Sequence, residues 1–421
     1  MNYGPTRGMR DFYPDTYRKR EHVFQAWRNA ALLHGFEFVD APIVESLELL
    51  ERKAGEEISD QLYAFEDKKG RAISLRGEFT PSMARMILNR RELLSSVQKW
   101  TTIAQCFRYE RMSRGRKREH YQWNLDIIGA DSVVADFEVL STAIDAMQSL
   151  GLGSENFVVK IGSRSLLNEF YTKLGLPPEE YREWCRILDR KGKVTTSDLE
   201  RRFSELGLSE SEVTTSVQVL EISTLTEAAE FAPPGSTAIA DLEQLFQFGV
   251  NAGLDPFMEF SLSIVRGLDY YTGIVFEGFD RVGEMRSIFG GGRYDYLLRS
   301  LGGPDVPCVG LGMGDVVLGE TLDELDRPQA KEQMTEVTVG YMTPEAEPMA
   351  LNTARQLREK GYRTDLALKV EAPRAFFGRS SAMKAGMAVY VGQSEVETGS
   401  VFAKLLNTGE LIALDSIEAK Q

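Results

Sequence analysis

Phe107-Arg108-Tyr109-Glu110-Arg111-Met112-Ser113-Arg114-Gly115-Arg116-Lys117-Arg118-Glu119-His120-Tyr121-Gln122 is the stretch whose reading governs the fold. Six basic side chains fall in the eleven residues from 108 to 118, offset by one acid. The run lies between apolar segments around Ile103 and Ile127, and another around Ile73 precedes it. That pattern suits antiparallel strands joined by a long loop. A charge run is ordinarily a solvated surface. Its position between strand-like segments and the dominance of arginine over lysine favour a ligand instead, because planar guanidinium forks recognise phosphate and carboxylate bidentately. The stretch therefore predicts an antiparallel sheet carrying a polyphosphate-binding loop.

The chain as a whole has the opposite charge. Its 421 residues include 49 basic and 63 acidic, a net charge of -14, with 27% charged and 43% hydrophobic residues. Such a chain can build two or three packed domains, which excludes disorder, a collagen-like fibre and a small disulfide scaffold. The acidity argues against a nucleic-acid partner only until it is resolved locally. Residues 333–421 hold 10 basic and 11 acidic side chains, and 355–384 hold 8 and 3, where an RNA backbone could lie. Cys106, Cys185 and Cys308 form no C-x-x-C pair, which fits a reducing compartment. His22, His34 and His120 stand at no metal-ligand spacing, so no protein-built metal site is expected. No apolar run reaches the length of a membrane span, and the N-terminus lacks the apolar core of a signal peptide, which together lead to the expectation of a cytoplasmic protein.

Helical spacing of Val23, Trp27, Ala30 and Ala31 predicts a helix over 16–34, and Phe36 to Asp40 alternates as a strand. Charge-mixed helical sequence fills 164–255, broken at Pro177-Pro178 and Gly207, and strand-like sequence returns at 258–277. A glycine-rich passage from Gly290 to Gly314 is followed by a polar stretch read as a linker over 321–332. Beyond it the pattern alternates: strand 337–341, helix 346–360, strand 364–368, helix 373–385, strand 387–391. This order predicts a small α/β domain over 333–421 with a largely parallel sheet.

Two further clusters carry chemistry. In Leu75-Arg76-Gly77-Glu78-Phe79-Thr80-Pro81, Glu78 and Thr80 share a face if the segment is extended, while a helix cap at Thr80 followed by Pro81 is the plainer reading. In Val265-Arg266-Gly267-Leu268-Asp269-Tyr270-Tyr271-Thr272-Gly273, a core tyrosine pair and a structural Arg266–Asp269 ion pair are the bland alternatives. An arginine, an acid and two phenols beside apolar strands are nonetheless an expensive set without a polar ligand.

Together these clusters resemble the histidine-tRNA ligase family of class II aminoacyl-tRNA synthetases. Phe107 to Arg111 with Arg116, Arg118 and Gln122 looks like the family's motif 2, and Arg266 to Tyr271 like its histidine-specific peptide. Gly8-Met9-Arg10-Asp11-Phe12 resembles its N-terminal turn, the helix and strand ending at Pro42 its dimer-forming motif 1, and Gly290 to Arg293 the approach to motif 3. The resemblance implies an α+β catalytic domain built on an antiparallel sheet over 1–163 and 256–320. It further implies a helical insertion over 164–255 and a C-terminal α/β anticodon-binding domain.

Site roles follow from the same resemblance. Glu78, Thr80 and Gln122 would hold the ammonium of L-histidine, and Asp126 and Tyr271 its two ring nitrogens. Phe79 and Tyr270 would line that pocket, and Arg266 would contact the carboxylate and the α-phosphate. For ATP, Arg108 would clamp the α-phosphate, Glu110 would orient the adenine or the metal, Arg116 would reach the terminal phosphates and His120 would stack on adenine, with Mg2+ assisting. Arg108 and Arg266 are the candidate catalytic groups. A histidine tRNA and a second copy of the chain are the implied partners.

Two positions depart from the commoner pattern. His120 stands where a larger aromatic usually stacks, and Val317 stands where motif 3 supplies an ATP-binding arginine. Both resemble the plant organellar branch. Arg293 and Arg286 are the candidate replacements by sequence proximity. A catalytically silent paralogue, similar to the regulatory subunit of ATP phosphoribosyltransferase, is the alternative reading, and a ligase for another amino acid leaves the Arg266 to Tyr271 peptide unexplained.

Overall fold

The first helix runs Pro14–Leu33, two residues earlier than its apolar spacing predicts, because Pro14 presets a helical φ in the first turn. Its buried stripe, Val23, Phe24, Ala26, Trp27, Ala30 and Ala31, faces the sheet. Trp27 stacks on Trp123 with ring centroids 5.8 Å apart, and its indole N–H donates to Met313 Sδ at 3.1 Å. The computed structural model describes residues 3–51, 61–177, 180–188, 194–264, 271–281, 287–327 and 335–420. They form two compact units, Met1–Gln329 and Ala330–Gln421.

The strands of the first unit are β1 (Glu37–Phe38), β2 (Val44–Ser46), β3 (Tyr63–Glu66), β4 (Ala72–Leu75), β5 (Gln98–Phe107), β6 (Glu119–Ile128), β7 (Phe157–Ser163), β8 (Met258–Phe260), β9 (Ile274–Asp280), β10 (Phe289–Arg293) and β11 (Cys308–Gly314). An eight-stranded sheet has the order β1-β5-β6-β11-β10-β9-β7-β8, and β2-β4-β3 form a small antiparallel sheet. Only the outermost pairs, β1 with β5 and β7 with β8, are parallel. The predicted antiparallel sheet is therefore present, and β5 and β6 bracket the basic loop in register from Gln98↔Ile128 to Phe107↔Glu119.

Two local readings change. The strand over 36–40 is only two residues long, and the glycine-rich passage, given no secondary structure from its sequence, forms β10 and β11. These glycines allow close approach: a Cβ on Gly291 would overlap the carbonyl of Gly310. A side chain there would prise the central strands apart.

The segment from 164 is helical as expected, with helices Arg164–Lys173, Tyr181–Leu188, Thr196–Glu205, Glu210–Glu221, Leu225–Phe231 and Thr237–Ala252. Ser163, Thr195, Ser209, Thr224 and Ser236 cap five of them by accepting from a backbone N–H in the first turn. Trp184 and Phe203 are fully buried, and their apolar cluster is continuous with Trp123, Phe157 and Phe276 of the sheet. The helices are thus anchored on the sheet's own core. The stretch read as a linker from 321 begins inside the helix Asp315–Glu324, where Thr321 and Leu322 are buried, while 328–334 lie outside the described residues.

In the second unit β12 (Val337–Tyr341) pairs in parallel with β13 (Thr364–Leu366) and β14 (Met387–Val391). Helices Glu347–Glu359 and Pro373–Ala382 provide the crossovers. Two short strands missed in the sequence, β15 (Phe402–Leu405) and β16 (Leu411–Ala413), extend the edge antiparallel. Gly340 lets Phe376 pack against β12, since a Cβ would overlap its ring. Among the described residues no helix is long and apolar enough to cross a membrane.

Candidate active site

The alternation of β6 divides its side chains between two jobs. Tyr121, Trp123, Leu125 and Ile127 pack into the main core, so His120, Gln122, Asn124 and Asp126 share the other face. On that face the neighbouring β11 offers glycine. A Cβ on Gly312 would overlap the Gln122 amide, and one on Gly310 would overlap the Asp126 carboxylate. The glycine run therefore clears a polar slot over the middle of the sheet.

Asp126 is 3% exposed and accepts a hydrogen bond from the Tyr294 hydroxyl. Tyr294 itself is held by its backbone N–H, which donates to Cys308 O at 2.7 Å. Tyr271 and Phe79 are buried in the same cluster as Tyr294. Phe79 precedes the helix Thr80–Asn89, so Thr80 is the first helical residue and not its cap, with Pro81 in the first turn. Glu78 and Thr80 are both buried. Asn124 Oδ1, between Gln122 and Asp126, has no hydrogen-bond partner among the described residues.

The basic loop is folded back on itself beside this slot. Arg108 N–H donates to Arg118 O at 2.9 Å, and its Nε donates to Gly77 O at 2.9 Å, which fixes the plane of the guanidinium next to Glu78. Arg116 and Glu110 form an ion pair at 2.6 Å across a tight turn whose Gly115 has φ +71°. Arg118 lies over the Tyr109 ring, 3.9 Å from its centroid.

Charges converge at the junction. Burial pushes the Cys106 thiol up to about 12, while Arg76, Arg108, Glu78 and Asp315 all act on it, which places Glu78 and Arg108 around one point of β5. Burial lowers His120 to about 3, and the charges of Arg108 and Arg10 add to that. His120 is accordingly a neutral imidazole near pH 7, a flat ring without charge.

The structure also decides between expectations. Arg293 is committed elsewhere: it donates to Ala130 O and Ser132 O, both at 3.0 Å, and pairs with buried Asp136. It does not replace an arginine at 317. Arg286, Arg266 and Tyr270 lie outside the described residues. Val317 is buried in the main core cluster, so the helix Asp315–Glu324 uses that position for packing. Sequence reasoning missed Tyr294 and Asn124, although the phenol directly after Gly290 to Arg293 and the period-two spacing of 122, 124 and 126 were both visible.

Among the described residues no group of three His, Cys, Asp or Glu side chains could hold a metal ion. A Mg2+ ion usually keeps water and takes few protein carboxylates beside its phosphates, and Glu110 is a carboxylate at the basic loop that fits this demand.

Comparisons with known proteins agree along the whole chain. The family model described as Histidyl-tRNA synthetase matches residues 8–314, and that described as Anticodon binding domain matches 336–420. A relative named histidine–tRNA ligase, chloroplastic/mitochondrial, from Arabidopsis thaliana is 41% identical over 410 residues, covering 97% of this chain and 84% of the relative. A histidine–tRNA ligase from Opitutus terrae is 35% identical, covering 95% and 93%. The crystal structure of a histidyl-tRNA synthetase from Nostoc sp. superposes with a TM-score of 0.79 at 22% identity, covering 98% and 97% of the two chains, a likeness of fold.

Proposed function

Because the chain belongs to the histidyl-tRNA synthetase family, we propose that it activates L-histidine with ATP and attaches it to its tRNA. In the first step a histidine carboxylate oxygen attacks the α-phosphorus. The new O–P bond forms as the bond to the β-phosphate breaks, giving histidyl-adenylate and pyrophosphate. In the second, a hydroxyl of the terminal tRNA ribose attacks the acyl carbon and AMP leaves. Such chemistry needs positioning and charge neutralisation more than proton transfer.

The observation that carries this reading is one strand face. Gln122 and Asp126 lie in a slot cleared by Gly312 and Gly310, and His120 and Arg108 sit at its end beside the basic loop. Asp126, with Tyr294 behind it and Tyr271 in the same cluster, takes the imidazole. Glu78, Thr80 and Gln122 take the ammonium, with Phe79 as wall. Arg108 takes the α-phosphate, Arg116 the distal phosphates, and Glu110 the adenine or the metal. Arg266 and Tyr270 complete the set by resemblance. Mg2+ would supply charge neutralisation on the phosphates, and Glu110 is the protein carboxylate that would hold it.

A site that hydrogen-bonds both ends of an imidazole rejects apolar isosteres strongly, since its own polar groups would be stranded. Self-association belongs to the same reading. Leu32, Leu33, Phe38, Ile43 and Val44 are exposed at the end of the first helix, on β1, and at the start of β2 and the residue before it, and the mass in solution tests it. A cytoplasmic address is retained as part of the proposal.

The direct experiment is exchange of labelled pyrophosphate into ATP with histidine and Mg2+, followed by charging of tRNA. Arg108→Ala should lower exchange by about 10²–10³, the usual loss for one preorganised charge donor. Histidine binding with no exchange in the unaltered chain would instead count for the catalytically silent reading, which Val317 favours slightly but the Arg108 and Glu110 pair and the full C-terminal α/β unit oppose.

A further inference from the structure

The N-terminal turn is bound to the start of β6 at alternate residues. Gly8 O accepts from Arg118 N at 2.9 Å, Arg10 pairs with Glu119 at 3.3 Å, and the Phe12 ring meets Tyr121 edge-on with centroids 6.3 Å apart. Gly8 has φ +89°, and a Cβ there would press into the Arg118 side chain, so the turn can lie this close only with glycine. Arg20 lies over the Phe12 ring at 4.3 Å and over the Tyr121 ring at 4.7 Å. Residues 8–12 thus form a wall of the basic loop's base.

Arg10 extends that wall to the helix that lacks its arginine. Its guanidinium contacts Asp315 at 2.9 Å as well as Glu119, and a further N–H donates to the Glu119 carbonyl at 3.3 Å. Asp315 opens the helix Asp315–Glu324, two residues before Val317, and its other oxygen accepts from Tyr121 N at 2.8 Å. Glu119 is 3% exposed and Asp315 7%. Two buried carboxylates this close to a site for a polyanion would repel it and each other unless a cation lay between them. A planar fork can bridge both, which an ammonium cannot do.

We propose that Arg10 is a positioning residue of the ATP half-site: by bridging Glu119 and Asp315 it locks the N-terminal turn, the start of β6 and the helix Asp315–Glu324 together. Arg118 and His120 are thereby held in place for the nucleotide. This inference rests on the activity proposed above.

The test replaces Arg10 by Gln and by Lys in the full chain. ATP binding is read by equilibrium dialysis, and the KM values for ATP and histidine by pyrophosphate exchange. Arg10→Gln should weaken ATP binding and raise the KM for ATP about tenfold or more, with the KM for histidine changing less than about threefold. Arg10→Lys should fall between, because it keeps the charge without the fork. The His120 ring should titrate closer to its ordinary value in Arg10→Gln, resolved by NMR against His22 and His34. Equal changes in both KM values, or a lower melting temperature with ATP binding intact, would overturn the proposal. If Arg10→Gln does not fold, Asp315→Asn removes one anchor and should show the same ATP-selective loss, and unaltered ATP binding there would equally overturn it. An unaltered chain that binds ATP but exchanges no pyrophosphate would refute the activity, with dialysis still deciding the role of Arg10.

Discussion

The Tyr294 hydroxyl donates a hydrogen bond to the Asp126 carboxylate, and both groups are almost wholly buried. The bond orients the carboxylate that faces the slot and offsets part of the penalty for burying it. Hydrogen bonds to charged groups contribute about 1.5–3 kcal/mol, so Tyr294→Phe should raise the KM for histidine by roughly ten- to a hundredfold. The KM for ATP serves as the internal control in pyrophosphate exchange. A histidine KM unchanged by Tyr294→Phe would remove Asp126 from the histidine pocket.

Gly310 and Gly312 make the slot by having no side chain. Alanine at 312 would overlap the Gln122 amide, and alanine at 310 would overlap Asp126 and crowd the Tyr294 hydroxyl. Overpacking of this kind destabilises by about 1–3 kcal/mol. Gly312→Ala and Gly310→Ala should therefore lower the melting temperature and, in the protein that remains folded, weaken histidine binding. Calorimetric titration with histidine checks this. By contrast Gly319→Ala, inside the helix Asp315–Glu324 with nothing near the added carbon, should leave histidine binding unchanged and raise the melting temperature slightly, since alanine favours a helix interior over glycine by about 0.5–1 kcal/mol.

What was legible followed from side-chain type and period. The basic loop between two strands, the helical segment from 164 and the alternating C-terminal unit could all be read because their patterns are local. The glycine strands could not be read so, because glycines carry no alternating hydropathy signal and these ones are defined by what lies against them: the backbone of neighbouring strands on β10, and Gln122, Asp126 and Tyr294 on β11. Arg293 illustrates the same limit. Its nearness in sequence to the missing arginine suggested a substitute, but the partners it meets, Ala130, Ser132 and Asp136, lie more than a hundred and fifty residues away. Arg10 was quoted in a motif without a role, since the carboxylates that give it one are far along the chain.

His120 makes stability depend on pH in a defined direction. Its folded value of about 3 lies below the ordinary 6.5, chiefly through burial. Above about 6.5 the ring is neutral in both folded and unfolded chains and contributes nothing to the pH dependence. Between about 6.5 and 3 the unfolded chain binds the proton and the folded one does not. Stability from this group is therefore lost as pH falls, by up to ~1.4 kcal/mol per pH unit. His120→Phe, which keeps a flat ring, should flatten the fall in denaturation midpoint between pH 6.5 and 5. An identical slope in both proteins would show that His120 is solvated.

The basic excess over 355–384 is smaller in practice than its count. Arg355 pairs with Glu359, Arg363 with Glu336, and Arg379 with Asp365 and Glu371, so much of the charge is neutralised within the unit. Lys369, next to Leu368 at 94% exposure on the segment after β13, and Arg374, in the first turn of the helix Pro373–Ala382, are both exposed. If tRNA lies there, each phosphate contact releases counterions and adds about 0.7–0.9 to the slope of log affinity against log salt. Lys369→Ala with Arg374→Ala should lower that slope by about 1.4–1.8 and raise the KM for tRNA in charging. Pyrophosphate exchange, which needs no tRNA, reports that the catalytic unit is intact. An unchanged salt slope would move the tRNA contact away from this segment.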